Sequence, residues 1–227
     1  MKELSLLNGR LRDGLIFCRK AYAIYENVRG SNGGVSRLRL RKNIVEKKLI
    51  EEILPIVRYI QLRYNQGKRI KVKWMVGNQP YDAYILLSGS QVTNLNIPKK
   101  QYLEVTTAVH DNEHLAREYL NNKGYVFGIK GVSRNKNTKE IESIPHVRIN
   151  REAEDDFANI IIDRIEDKSK KNYPDKTTLI IQCMFSTYFI DTEWNYIIEK
   201  VRQADIKHKF CEVVLFDSNY NYFAILM

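Results

Sequence analysis

No apolar run in the chain approaches the roughly 20 residues needed to cross a bilayer, which argues against a membrane-spanning helix. The start, Met1-Lys2-Glu3-Leu4-Ser5, lacks a basic cluster followed by a long apolar core, so a secretory leader is not expected and a cytoplasmic location is. The three cysteines, Cys18, Cys183 and Cys211, are odd in number and far apart. Neither a disulfide framework nor a zinc knuckle has the paired spacing it needs, and the thiols read as reduced. No internal repeat and no low-complexity tract is present. Acidic residues are in deficit, 27 against 37 Lys and Arg, which leaves a net charge of +10.

What is there suits a folded domain. A length of 227 residues accommodates one sizeable domain with room for an appendage, and 44% apolar with 11% aromatic residues argues against disorder. The positive surplus favours a polyanionic partner, nucleic acid being the commonest. It is concentrated early in the chain, where Asp13 and Glu26 are the acids set against a run of basic residues. Of that run, Arg10, Arg12, Arg19, Lys20, Arg37, Arg39 and Arg41 are expected to touch phosphates rather than bases. A solvated basic surface with no specific partner is the plain alternative.

Periodicity orders the elements. Leu15, Phe17, Cys18, Ala21, Tyr22 and Tyr25 recur near the helical period within Leu11 to Val28, and Gly30-Ser31-Asn32-Gly33-Gly34 then breaks the chain. The segment 1–34 therefore reads as a basic helical N-terminal extension with a Gly-rich connector, and 35–227 as the main domain. A helix from about Asn43 to Tyr64 carries the stripe Leu49, Ile53, Ile56, Val57 and Ile60, with a kink or break expected at Pro55. Strands follow at Ile70 to Val76, Tyr81 to Leu87 and Gln101 to Thr106, then a helix capped by Asp111 or Asn112 and ended by Gly124. Arg134 to Ser143 reads as an exposed loop and about Arg151 to Lys171 as a second long helix. A buried strand (Thr178 to Phe185), a helix (Glu193 to Ala204) and strands at Phe210 to Phe216 and Tyr222 to Met227, joined by a turn at Asp217 to Asn221, complete the chain. The order predicts an α/β fold built on a mixed sheet flanked by helices.

Chemistry concentrates at Asn78-Gln79-Pro80-Tyr81-Asp82 and Tyr102-Leu103-Glu104-Val105-Thr106. Side chains alternate along a strand, so Glu104 and Thr106 share a face, and Asp82 opens a strand that can lie beside it. Two converging carboxylates make a hard, oxygen-rich site suited to Mg²⁺ or Mn²⁺. Glu46 and Glu52 flank the apolar stripe of their helix on opposite sides, where a carboxylate can reach the sheet edge or remain a solvated flank.

With Pro80-Tyr81-Asp82 as a first carboxylate motif and Leu103-Glu104-Val105-Thr106 as a second, the chain resembles the PD-(D/E)xK phosphodiesterase superfamily, which includes many restriction endonucleases and Holliday-junction resolvases. The resemblance covers about Asn43 to Met227 by element order and implies a restriction-endonuclease-like sheet. It implies metal held by Asp82, Glu104 and the Val105 carbonyl, with Glu52 or Glu46 as the helical glutamate. The implied activity is metal-dependent hydrolysis of phosphodiester bonds in nucleic acid, DNA ahead of RNA, with a homodimer as a candidate assembly. One member departs from the pattern: Thr106 stands where the family has the lysine that orients the attacking water and stabilises phosphate charge. Either Lys71, Lys73, His110, Arg117 or Lys168 supplies that charge from elsewhere, or the domain binds nucleic acid or protein without cutting.

A rival motif is His110-Asp111-Asn112-Glu113-His114, an inverted zinc-protease pattern for which Glu193 or Glu199 offers a third ligand. It sits at a polar helix start, and the plain reading is that alone. Tyrosines such as Tyr22, Tyr25, Tyr59, Tyr64, Tyr81, Tyr84 and Tyr102 suit base stacking, although packing is their commoner use.

Overall fold

A computed structural model describes residues 2–147, 151–184, 191–218 and 221–226. After α1 (Lys2–Ser5) and the short strand β1 (Arg12–Asp13), the Asp13 carboxylate accepts from the Leu15 amide at 3.0 Å and starts α2 (Gly14–Gly30). The apolar face of α2, Phe17, Cys18, Ala21, Ile24 and Val28, is buried in the same core as Ile56, Val57, Ile60 and Ile70. The segment 1–34 thus contributes to the main core. Its glycines make a tight corner into α3 (Gly34–Leu40): a Cβ on Gly34 would lie 1.8 Å from the Val28 carbonyl oxygen.

The expected long helix is continuous through Pro55. It runs as α4 (Ile44–Lys48), a π-helical turn (Leu49–Ile53) and α5 (Leu54–Arg63). The Leu54 amide reaches back five residues to the Leu49 carbonyl. This widened turn comes just before the proline, whose ring and missing N–H would otherwise interrupt the helical ladder. Leu49, Ile53, Ile56 and Ile60 are fully buried along it.

Strands β2 (Arg69–Trp74) and β3 (Ala83–Ser88), helix α6 (Ser90–Asn94) and strand β4 (Lys100–Ala108) come next, then α7 (Glu113–Lys123), ended by Gly124 at φ 83°. The segment expected as an exposed loop forms a hairpin of β5 (Val132–Arg134) and β6 (Ile141–Ser143). Asn135 organises its turn by accepting from the amides of Asn137 (2.9 Å) and Thr138 (3.2 Å), local chemistry that outweighs polar composition. Helix α8 (Glu152–Ser169), strand β7 (Thr177–Cys183), helix α9 (Asp191–Gln203) and strands β8 (Glu212–Asp217) and β9 (Phe223–Leu226) complete the fold. Phe185, Asn219, Tyr220 and Met227, which fall within the expected strands and turn, lie outside the described residues.

One mixed seven-stranded sheet has the order β1-β2-β3-β4-β7-β8-β9. Pairs β4–β7 and β7–β8 are parallel, while the two ends of the sheet are antiparallel. Parallel central strands need cover on both faces, and β7 is buried at every position. Helices α2 and α5 cover one face, with Leu103, Val105, Ile180 and Val214 beneath them. Helices α8 and α9 cover the other, over Leu179, Ile181, Val213 and Leu215. Among the described residues no helix is long and apolar enough to cross a membrane. The three cysteines are free thiols, and burial pushes Cys18 up to about 11.

Candidate active site at the edge of β4

The β3–β4 ladder stops at the pair Ala83–Leu103, and from Glu104 to Ala108 β4 pairs with β7 alone. A free strand edge opens there. Asp82 lies in the bend before β3 rather than in the strand, its amide donating to the Leu103 carbonyl at 2.9 Å. Its side chain replaces the missing strand: the Val105 amide donates to Asp82 Oδ2 at 2.8 Å. The Val105 carbonyl leaves β4 on the same side as its amide, toward that edge. Asp82 and the Val105 backbone therefore meet at this edge.

Glu104 is buried, with 8% of its surface exposed, on the face covered by α8. Lys168 Nζ lies 2.5 Å from Glu104 Oε1, and the Tyr173 hydroxyl donates to the same oxygen at 3.3 Å. Lys168 follows Ile161 and Ile165 at helical spacing on the core-facing stripe of α8, which aims it at the sheet. Of the five basic residues considered for the missing motif lysine, Lys168 is the one that contacts a candidate carboxylate. Lys71 is exposed on β2, Lys73 lies 5.9 Å from the Tyr84 ring, and Arg117 faces Glu113. His110 Nδ1 accepts from the Asn112 amide at 3.1 Å. Thr106 shares the Glu104 face, opposite Ile181, and brings no charge.

The electrostatics mark the cluster. Burial first, then the Glu104 charge, raise the Asp82 carboxyl to about 7, with a further contribution from Glu52. The Val105 amide and Lys168 act in the opposite direction. Tyr173 is also held above its ordinary value, by burial and by Glu104, so it remains a protonated donor.

The helical glutamates separate. Glu52, in the π-helical turn, bears on Asp82 and pairs with Lys48 at 2.8 Å. Glu46 is fully buried and accepts from Arg37 Nε at 2.7 Å, a structural pair joining α3 to α4. Sequence reasoning missed two contributors. Lys48 was visible as the partner four residues before Glu52. Tyr173 carried no sequence signal, because its role depends on the loop after α8 returning over β4.

The basic segment divides as well. Arg10 and Arg19 are exposed, while Lys20 and Arg39 are half-buried. Arg12 donates to the Leu6 carbonyl at 2.5 Å, and Arg37 is committed to Glu46. Arg41 lies 3.4 Å from Glu51 and donates to the Met184 sulfur at 2.7 Å.

The rival histidine motif is not assembled for zinc. Glu113 lies 3.9 Å from Arg117, and His114 Nδ1 lies 2.9 Å from the Asp111 carbonyl oxygen. Glu199 pairs with Arg202 at 2.6 Å within α9. Among the described residues no group of three or more His, Cys, Asp or Glu is arranged to hold a metal ion. At the β4 edge the available donors are two carboxylates and a carbonyl, a hard oxygen set that fits Mg²⁺ or Mn²⁺ completed by water and substrate oxygens. Comparison with protein-family models, curated proteins and solved structures returns no match to the chain.

Proposed function

We propose that the protein is a metal-dependent phosphodiesterase acting on nucleic acid, with a restriction-endonuclease-like site in which Lys168 takes the part of the motif lysine absent at Thr106. The observation that carries this reading is the 2.5 Å contact of Lys168 Nζ with Glu104, beside an Asp82 raised by burial and then by that same Glu104. An ammonium next to the second carboxylate is what the sequence motif lacks, and the fold supplies it from a helix instead of the strand.

Asp82, Glu104 and the Val105 carbonyl would hold the ion. When bound, Mg²⁺ lowers the pKa of a coordinated water and neutralises phosphate charge. Asp82 is kept in position by the Val105 amide, so its orientation does not depend on the ligand. Lys168 holds one oxygen of Glu104 and offers its remaining N–H donors to a phosphate oxygen or a water. Tyr173 donates to the same carboxylate oxygen. Glu52, tied to Lys48, orders solvent from the helix.

The ion pairs Lys168–Glu104 and Lys48–Glu52 favour a second reading, a nuclease-like module that binds without cutting, because each already neutralises a carboxylate. Supercoiled DNA, single-stranded DNA and RNA, assayed with and without Mg²⁺ or Mn²⁺, separate the two. Hydrolysis that requires metal and is lost in Asp82→Ala and Glu104→Ala supports the enzyme. Nucleic-acid binding without hydrolysis under all these conditions supports the module.

A further inference from the structure

Helices α8 and α9 cover one face of the sheet only from β4 onward. On that face β2, β3 and the first half of β4 carry no helix among the described residues. The register sets Lys73, Tyr84 and Tyr102 side by side across three strands, and Lys71, Leu86 and Lys100 in the next row. Directly opposed residues lie on the same face. Lys100 Nζ is 4.8 Å from the Tyr84 ring centre and 4.7 Å from that of Tyr102. Tyr81 packs on Tyr102 at 4.7 Å.

Lys71 and Lys100 are exposed, and Lys73, Tyr84 and Tyr102 are half-buried. Across β2, β3 and β4 these two rows hold no carboxylate; the acid at their β1 end, Asp13 opposite Lys71, accepts from the Leu15 and Ile16 amides at the start of α2. Cation–π contacts on an open sheet contribute about 0.5–1 kcal/mol each, which explains the pairing but not why three lysines and the tyrosines share one uncovered face. The rows lead toward the candidate site: Tyr102 precedes Glu104 by two residues on one face, and Tyr81 adjoins Asp82.

We infer that this face is a docking platform for single-stranded nucleic acid, with bases stacking on Tyr84 and Tyr102 and phosphates paired to Lys71, Lys73 and Lys100. Charge complementarity selects a polyanion. The aromatic rings select a single strand, because duplex bases are already stacked on one another and have no free face to offer. The inference deepens the proposed function by naming its substrate class, and it rests on that reading for the direction in which the strand runs toward Asp82 and Glu104.

Binding is measured on the full chain in EDTA, by anisotropy of labelled oligo-dT, oligo-U and a duplex of equal length. Both single strands, or one of them, bind more tightly than the duplex; which one leads tells DNA from RNA. Tyr84→Ala weakens single-strand binding by roughly 5- to 100-fold, while Tyr84→Phe retains it. Combining Lys71→Ala, Lys73→Ala and Lys100→Ala weakens binding and reduces the salt slope by about 2, from about 0.7 per phosphate. The lysine variant removes surface ammonium groups alone, so it keeps the test valid if Tyr84→Ala fails to fold.

Single-strand binding unchanged in the lysine variant overturns the inference, as does duplex binding equal to single-strand binding. Self-association that disappears in the lysine variant also overturns it, since a second copy would then occupy the face. Hydrolysis of bis(4-nitrophenyl) phosphate by the wild-type protein with Mn²⁺ reads the carboxylate site alone. Its absence beside intact strand binding defeats the proposed enzyme and leaves the platform standing, and the reverse pattern defeats the platform alone.

Discussion

Glu51 and Glu52 are neighbours in one π-helical turn, yet they serve charge clusters of different balance. Glu51 joins Arg41, Arg117 and Glu113, two cations with two anions. Glu52 joins Asp82 and Glu104, with Lys48 and Lys168 as the cations, so one negative charge is in excess. The two clusters respond differently to that difference. In the first, burial and then the Arg117 charge lower Arg41, while Glu113 is raised by burial and drawn back by both arginines. In the second, burial first and then the carboxylate charges of Glu104 and Glu52 raise Asp82 to about 7. A balanced cluster holds elements together; on the proposed reading, the unbalanced acidic one is completed by a cation.

The largest effect that sharpens this contrast is on hydrolysis. Asp82→Asn, Glu104→Gln and Lys168→Met each reduce metal-dependent cleavage on the order of 10² or more, read by initial rates on the preferred substrate. Arg117→Met, in the balanced cluster, leaves the rate per folded molecule near wild type. It lowers stability by about 1–3 kcal/mol, because the half-buried Glu113 loses a partner, and urea unfolding measures it. A rate collapse in Arg117→Met would break the distinction.

How much of this was legible in the sequence depends on what kind of signal each residue carried. Asp82 and Glu104 were legible because strand alternation and the proline-led turn are local rules. The order of the main helices and sheet strands followed from periodicity, as with the stripe Leu49, Ile53, Ile56 and Ile60. The sequence does not separate Glu46 from Glu52, because the π-helical turn that contains Glu52 departs from the 100° step of an α-helix. Lys168 is one of five candidates in the sequence, and the packing of α8 on β4 puts it against Glu104. The Gly30–Gly34 stretch has the composition of a linker, and only the close approach of Gly34 to the Val28 carbonyl distinguishes a corner from a tether.

A smaller effect concerns pH. Asp82 has a folded pKa above its unfolded value near 3.8, so the native state binds more protons between those limits. Its contribution to stability is therefore greatest below about pH 4 and falls as pH rises to about 7, then levels. In metal-free protein, Asp82→Asn removes that fall, as the difference between wild-type and variant urea midpoints across pH shows. Mg²⁺, which favours the ionised carboxylate, flattens the wild-type curve. A pH-independent difference between the two proteins would place Asp82 outside the unbalanced cluster.

The smallest effects probe the supports. Tyr173→Phe removes one 3.3 Å hydrogen bond to Glu104, about 0.5–1.5 kcal/mol, and lowers the cleavage rate by less than about tenfold. Thr106→Lys gives no gain in rate, since Lys168 already holds Glu104. A strong gain would mean that Lys168 serves structure and that the strand position is the one that matters.

The most direct measurement is anomalous diffraction from a crystal soaked in Mn²⁺. A manganese peak between the Asp82 and Glu104 carboxylates, with the Val105 carbonyl among its ligands, is the result expected of an acidic cluster completed by a cation. Full-occupancy manganese elsewhere, or none at all while Lys168 keeps its contact with Glu104, would contradict it.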